Sequence, residues 1–357
     1  MSEKVLMKGN EAIGEAAILA GCHYYFGYPI TPQSELIEYM AKHLPRVNGV
    51  FLQAESEVAA INMVYGASGA GARVMTSTSS PGMSLKQEGI SYIAAGELPC
   101  VIVNIMRGGP GLGSIQPAQG DYFQATKGGG HGDYHCIVLA PNSVQEMFDL
   151  TILAFELGDK HLNPVIILGD GALGQMMEPL SLDVKQVATV DKPWATTGMG
   201  ERTKPNRVNT LHLKPEELEG HNNKLQRKYD LLKEQEVRWK EDFTQDADLV
   251  LVAYGITSRI AYSAMEMARA EGLKVGVFRP ITLWPFPDKA LVNAVRTASA
   301  ILTLELSAGQ MVEDVRLAIN GAKKVHFHGR TGGMVMTPRE VLEEIYKILP
   351  VKVGMEK

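Results

Sequence analysis

The sequence predicts an α/β protein: a doubly wound, mostly parallel layer of about 180 residues, followed by a smaller α/β unit. Three observations carry this. Short apolar runs alternate with helix-patterned stretches along most of the chain. The run from Pro99 to Met106, PCVIVNIM, is apolar without the every-second-residue alternation of a half-exposed strand, which marks a strand covered on both faces. The alternation stops once, between Leu180 and Gln245, and resumes from Asp246 through roughly 80 residues, so two units are joined by a connector.

Taken in order, NEAIGEAAILAG reads as an amphipathic helix ending at Gly21, a C-cap. HYYFGYPITP then brings a short strand into a loop clamped by Pro29 and Pro32. Two prolines fix φ and remove two backbone donors, so Ile30 and Thr31 are held extended and the Thr31 hydroxyl is presented from a rigid loop. Pro32 suits the first turn of the helix SELIEYMAKHL. After the strand VFLQ come two carboxylates, Glu55 and Glu57, at the head of VAAINMVYGASGAG. That helix carries small residues on most faces and is expected to be buried, so its leading carboxylate needs a partner. RVMTSTSSPG is a strand and loop, MSLKQEGISYIAAGE a helix, and the apolar strand from Pro99 ends at Arg107. The loop RGGPGLGSIQPAQGDYFQATKGGGHGDYH has so many glycines that it implies close approach of backbone to something, or a lid. CIVLAP, NSVQEMFDLTILAFELGDKH and NPVIILGDG complete the first layer as strand, helix and strand. A polar stretch and a long charged helix, PEELEGHNNKLQRKYDLLKEQEVRWKEDF, form the connector. ADLVLVAYG, SRIAYSAMEMARAEG, KVGVFRPITLWPFP, DKALVNAVRTAS, AILTLELSAGQM and VEDVRLAIN alternate again, and the helix PREVLEEIYKIL closes the chain. The expected divisions are 1–185, 186–245 and 246–357.

With 357 residues the chain can bury a sizeable core, and 45% hydrophobic with 21% charged residues is an ordinary globular balance. A formal net charge of -5 gives no reason to expect nucleic acid or an anionic membrane as partner. No apolar run approaches the roughly 18 residues of a membrane span, and MSEKVLMKGNE does not have the form of a signal peptide, so a cytoplasmic location is expected. Cys22, Cys100 and Cys136 lack any CxxC spacing and read as small buried hydrophobes, not as ligands of a cluster or of zinc.

Several motifs compete for attention. Gly169-Asp170-Gly171 resembles the start of the magnesium–diphosphate motif of thiamine-diphosphate enzymes, but the completing asparagine is missing and Asn222-Asn223 lies too far on; a strand-end turn is expected. The glycines at 66–71 and 108–113 match dinucleotide fingerprints only loosely. His131 and His135 have no obvious third metal ligand and read as loop histidines that hydrogen-bond or touch substrate. What remains is Thr31 on its clamped loop, Glu57 heading a helix and Arg107 at a strand end. Strand ends of a parallel sheet face the ligand crevice, so all three can converge. Taken singly, Glu57 could be a carboxylate stabilised by a helix N-terminus, and Arg107 half of an ion pair.

The combination resembles the α subunit of the 2-oxoacid:ferredoxin oxidoreductases. The matching pieces, MKGNEAIGEAAILAGC, FGYPITPQSEL, AESEVAAINMVYGASGAGAR, TSTSSPGMSLKQEG, ELPCVIVNIMRGGPGLG and QGDYFQATKGGGHGDY, together with the connector and second unit, extend over nearly the whole chain. The resemblance implies a pyrimidine-binding domain of thiamine-diphosphate enzymes plus a smaller transketolase C-terminal-like α/β domain. PGMSLKQEG and GGGHGDY look most like subunits acting on 3-methyl-2-oxobutanoate and other branched-chain 2-oxoacids; the cousin acting on 2-oxoglutarate is the alternative. By the same resemblance Glu57 binds N1′ of the aminopyrimidine, with Glu55 ranked second, and Pro29, Ile30 and Ser80 adjoin the cofactor. Thr31 lies beside the substrate, and Arg107 binds its carboxylate through the guanidinium fork. Lacking the full diphosphate motif and cluster cysteines, the chain is implied to share thiamine diphosphate with a β subunit carrying Mg²⁺. It is also implied to assemble with γ and ferredoxin-like δ subunits holding the iron–sulfur clusters, to pass electrons to ferredoxin, and to use coenzyme A as acyl acceptor. Two other readings are the β chain of a lipoamide-linked 2-oxoacid dehydrogenase, against which YPITP and RGGPGLG argue, and a non-catalytic scaffold.

Overall fold

The structure, a computed structural model, describes residues 4–184 and 190–349. The expected division between residues 185 and 186 lies outside the described residues. The elements run β1 (Lys4–Lys8), α1 (Gly9–Leu19), β2 (Tyr24–Gly27), α2 (Ser34–His43), β3 (Val50–Gln53), α3 (Glu57–Gly69), β4 (Val74–Thr78) and α4 (Ser80–Ala95). They continue with β5 (Cys100–Gly108), β6 (Ser114–Pro117), α5 (Tyr122–Thr126), β7 (Ile137–Leu139), α6 (Val144–His161), β8 (Pro164–Asp170), α7 (Gly171–Gln175) and β9 (Met177–Ser181). The long helix α8 (Pro215–Gln235) leads to β10 (Trp239–Asp242), β11 (Leu249–Ala253), α9 (Gly255–Ala270), β12 (Val275–Pro280), β13 (Thr282–Trp284), α10 (Asp288–Ala294), β14 (Ala300–Glu305), α11 (Met311–Ile319), β15 (Lys324–Gly329) and α12 (Pro338–Ile348).

The first sheet has the order β13-β7-β8-β5-β4-β2-β3, parallel from β7 to β3, with β6 folded back antiparallel on β5. β5 sits at its centre and is buried at every residue, as its unbroken apolar run requires. The second sheet, β10-β12-β11-β14-β15, is parallel except for β10. One continuous hydrophobic core runs through both sheets. A smaller one, with Met7, Ala12, Ala16 and Leu180, lies under the antiparallel pair β1–β9.

Two units are knitted by buried polar contacts. The Gln119 side chain donates to the Tyr254 carbonyl at 2.9 Å and accepts from the Leu306 N–H at 2.9 Å. Arg279 on β12 makes a two-pronged ion pair with Glu146 at the start of α6, both contacts 2.7 Å.

Three expectations are corrected here. KVGVFRPITLWPFP is not one strand: β12 belongs to the second sheet, while β13 crosses to pair antiparallel with β7 at the edge of the first. The connector helix ends at Gln235, and its expected tail forms β10, which pairs with β12. Helix α3 is not buried on most faces. Glu57, Ala60, Ile61, Val64 and Ser68 face the core, whereas Val58, Asn62 and Gly66 are exposed, because within this chain α3 has the sheet and α4 on one side only.

Candidate active site

The carboxyl ends of β2, β4 and β5 meet the N-termini of α3 and α4, and there the residues singled out from the sequence are gathered. The loop after β2 is pinned at Pro32, whose carbonyl accepts from Asn10 Nδ2 at 2.9 Å and Gln175 Nε2 at 3.1 Å. Pro32 does not enter the helix: α2 starts at Ser34. Between them Gln33 turns inward, fully buried, with its N–H on the Ile30 carbonyl and its Oε1 receiving Ser77 Oγ at 2.5 Å. Pro29 and Thr31 are left exposed and Ile30 half-buried on the outer side of the turn.

Arg107 ends the central strand with only 6% of its surface exposed. Its Nη1 donates to the Thr31 carbonyl at 2.9 Å and its Nη2 to the Leu112 carbonyl at 3.1 Å. Thr31 and Arg107 therefore do converge. No carboxylate pairs with this guanidinium among the described residues, so Arg107 is not half of an ion pair there; two backbone oxygens meet it, and Nε has no partner. The Arg107 N–H donates to Ser80 Oγ at 3.1 Å, and Ser80 Oγ donates to Asp121 Oδ2 at 2.6 Å. Asn104 Nδ2 reaches the same carboxylate oxygen at 2.9 Å. Burial pushes the Asp121 carboxyl above its usual range, with the Ser80 and Asn104 donors opposing that rise.

Glu57 opens α3 and is 6% exposed, whereas Glu55 is exposed; Ser56 caps the helix through Oγ, which accepts from the Ala59 N–H at 3.2 Å. Among the described residues no donor hydrogen-bonds the Glu57 carboxylate. It rests against Gly82 in the first turn of α4, where a Cβ would stand 2.6 Å from Glu57 Oε1 and 2.2 Å from Thr78 Oγ1. Ser80 and Gly82 thus tie the glutamate and the arginine to the same helical turn.

The glycine-rich loop after Arg107 is a hairpin with close backbone approach: Gly113 has φ +64°, and a side chain there would collide with the Gly108 carbonyl. The hairpin borders a cleft of about 680 Å³ between the two units, lined by Ser80, Pro81, Asp121, Leu306, Gln310 and Thr331 among others.

Other candidates lie elsewhere or do other work. Asp170 caps α7: Oδ1 accepts from the Ala172 and Leu173 N–H groups, and Oδ2 from Ile256 at the start of α9. It is a strand-end turn with its oxygens consumed by backbone. His135 stacks on Trp284 at 4.4 Å between ring centres, and His131 packs edge-on to Tyr92. Among the described residues no group of His, Cys, Asp or Glu is arranged to hold a metal. The three cysteines are buried and free.

Sequence reasoning missed Gln33, Asn104, Asp121 and Lys86. Asn104 and Lys86 had a signal, a polar residue interrupting an apolar strand and an apolar helix face; Gln33 and Asp121 had none.

A parallel layer with a buried helix-heading glutamate in its strand-end crevice, joined to a smaller α/β unit, is the build of a thiamine-diphosphate enzyme chain. Residues 15–236 match the family described as pyruvate flavodoxin/ferredoxin oxidoreductase, thiamine-diphosphate-binding, and residues 247–341 match pyruvate:ferredoxin oxidoreductase core domain II. The chain belongs to this family and is a subunit of the 2-oxoacid:ferredoxin oxidoreductase class. It is 53% identical to the ketoisovalerate oxidoreductase subunit VorB of Methanothermobacter marburgensis, covering 96% of this chain and 97% of that one. It is 39% identical to the 2-oxoglutarate synthase subunit KorA of Archaeoglobus fulgidus, covering 92% and 95% respectively. The solved 2-oxoglutarate:ferredoxin oxidoreductase from Magnetococcus marinus, with 2-oxoglutarate, coenzyme A and succinyl-CoA bound, superposes with a TM-score of 0.86 at 29% identity over 97% of this chain. This chain spans 65% of that one. An inactive split-gene transketolase superposes at 0.61 with 17% identity, a likeness of fold alone.

The polar atoms of the crevice fit a ligand of that kind. Gln33 Nε2, Thr78 Oγ1, Ser79 Oγ, Asn104 Oδ1 and Arg107 Nε are buried without a partner around the ends of the three strands. These groups leave hydrogen-bonding capacity that a bound ligand or ordered water fills.

Proposed function

We propose that this chain is the α subunit of an enzyme that oxidatively decarboxylates branched-chain 2-oxoacids such as 3-methyl-2-oxobutanoate, transferring the acyl group to coenzyme A and the electrons to ferredoxin. The observation that carries the reading is the Glu57 carboxylate, buried at the head of α3 and hydrogen-bonded by no donor among the described residues, beside strand ends where other buried polar atoms lack partners. The greater similarity to chains named for ketoisovalerate than to chains named for 2-oxoglutarate supports the branched-chain substrate.

Thiamine diphosphate, when bound, supplies the electron sink that lets the bond between the carboxyl and carbonyl carbons break. Glu57 holds a proton at N1′ of its aminopyrimidine, a task for a carboxylate shielded from water. Pro29 and Ile30 would adjoin the bound cofactor together with Ser80, whose hydroxyl ties the first turn of α4 to Asp121 and Arg107. Arg107 takes the substrate carboxylate, using the free Nε together with an Nη that exchanges a carbonyl for the anion. Thr31, whose own backbone carbonyl accepts from Arg107 Nη1, lies beside the substrate. With Asp170 occupied by backbone donors, a β subunit holds the diphosphate and Mg²⁺, and γ and ferredoxin-like δ subunits carry the iron–sulfur clusters. No helix among the described residues is long and apolar enough to cross a membrane, and we place the assembly in the cytoplasm.

The test is Glu57→Gln in the assembled enzyme, with exchange of the cofactor C2 proton followed by NMR. Exchange is lost in Glu57→Gln and only reduced in Glu55→Gln. Equal losses in the two variants would sink the assignment.

A further inference from the structure

Lys86 lies in the middle of α4 with no exposed surface, one of the largest fully buried side chains of the protein. Its Nζ donates to Thr76 Oγ1 on β4 at 3.0 Å, and that is its one hydrogen bond among the described residues. Two of the three ammonium protons are therefore without an acceptor. Such a group is expensive to bury, and methionine would fill the same volume without that cost. Lys86 is one helical turn beyond Gly82, the residue against which the Glu57 carboxylate rests, so both lie along the same groove between α3 and α4. The charged group beside that turn of α4 is the Glu57 carboxylate; Thr76, from β4, is neutral.

We propose that Lys86 is a positioning residue for Glu57: its buried ammonium, anchored on Thr76, supplies the counter-charge that limits how strongly Glu57 holds a proton on the aminopyrimidine. The proposal rests on Glu57 serving N1′. A carboxylate with no cation near it in a dry crevice would keep that proton too tightly for it to move back and forth during turnover. A cation beyond hydrogen-bonding reach weakens the hold without occupying the oxygen that must face the cofactor. Burial lowers the Lys86 ammonium to about 8, with Glu57 opposing the fall, so below that pH the counter-charge is present.

The experiment uses the assembled complex loaded with thiamine diphosphate carrying ¹⁵N at N1′, whose chemical shift reports protonation directly and needs no turnover. The N1′ titration midpoint is compared in wild type, Lys86→Met and Lys86→Gln. Both variants are close to lysine in length and remove a buried charge, so the complex assembles. With the cation gone, the protonated pyrimidine is favoured, and the midpoint moves up by about one pH unit in both. An unmoved midpoint in both variants overturns the proposal. So does a wild-type midpoint in Lys86→Gln alone, since the amide can still bond Thr76 and the role would then be structural. Glu57→Gln separates this from the underlying reading. If its midpoint falls while the Lys86 variants stay unmoved, Glu57 keeps its role and Lys86 loses it. If Glu57→Gln leaves the midpoint unchanged, the assignment of Glu57 itself is wrong and the proposal falls with it.

Discussion

Adding one methyl group at Gly82 tests whether the Glu57 carboxylate is held where the structure places it. In Gly82→Ala the new Cβ would stand 2.2 Å from Thr78 Oγ1, 2.6 Å from Glu57 Oε1 and 3.0 Å from Glu57 Cγ. These are too close to persist, so something must move. Thr78 is buried on β4, and the more adjustable partner is the Glu57 side chain. Alanine in a helix gains about 1 kcal/mol over glycine, while overfilling a packed site costs ~1–3 kcal/mol. Net destabilisation should therefore be modest, on the order of 0–2 kcal/mol. Function should suffer more, because displacing a catalytic group by about an ångström costs on the order of 100-fold in rate. Gly66→Ala is the control: on α3, nothing lies within 4 Å of its Cβ position, and it should stabilise by up to about 1 kcal/mol. Denaturant unfolding of the purified chain measures the first quantity, and kcat/KM of the reconstituted complex the second. A Gly82→Ala enzyme with wild-type kcat/KM would refute the placement of the carboxylate against α4.

Arg107→Lys keeps the charge but loses the fork and the contacts to the Thr31 and Leu112 carbonyls, and should raise KM for every 2-oxoacid by a similar factor. Arg107→Met should cost more, on the order of 2–4 kcal/mol in kcat/KM; kinetics on 3-methyl-2-oxobutanoate and 2-oxoglutarate check this, and loss for one substrate alone would mean that Arg107 reads the tail. Asp170 is raised by burial to about 6, against three backbone donors that favour its charged form. Its folded state thus holds a proton more tightly than the unfolded chain, so stability from this group falls as pH rises from about 4 to 6. Asp170→Asn should flatten that slope in urea titrations and cost about 1–3 kcal/mol, because an amide cannot accept from Ile256 as well as from α7. The purified chain by itself should bind thiamine diphosphate weakly and contain no iron; tight, Mg²⁺-dependent binding in calorimetry would overturn the division of labour between subunits.

The alternation of apolar runs and helical patterns was enough for the class of fold, the burial of β5 on both faces, and the meeting of Thr31 with Arg107 at strand ends. Those features depend on local periodicity and on the general rule that parallel strands open their carboxyl ends to a crevice. The local pattern could not say that Thr282–Trp284 leaves the second unit to complete the first sheet, because pairing partners more than 100 residues apart leave no mark in a short window. Nor could it find β15, whose residues are only partly buried and include two histidines and a lysine. Small residues on most faces of α3 were equally compatible with burial and with one open side; only packing decided, leaving Val58 45% exposed. At the site, residue type indicated that Glu57 and Arg107 needed partners, but not which. Tertiary structure set two carbonyls against the arginine and no donor against the glutamate, and it buried Lys86 one helical turn beyond the glycine that this carboxylate rests against. Charge and hydrogen-bonding capacity belong to single residues and can be read one letter at a time, whereas what meets them depends on distances that exist only after the chain has closed on itself.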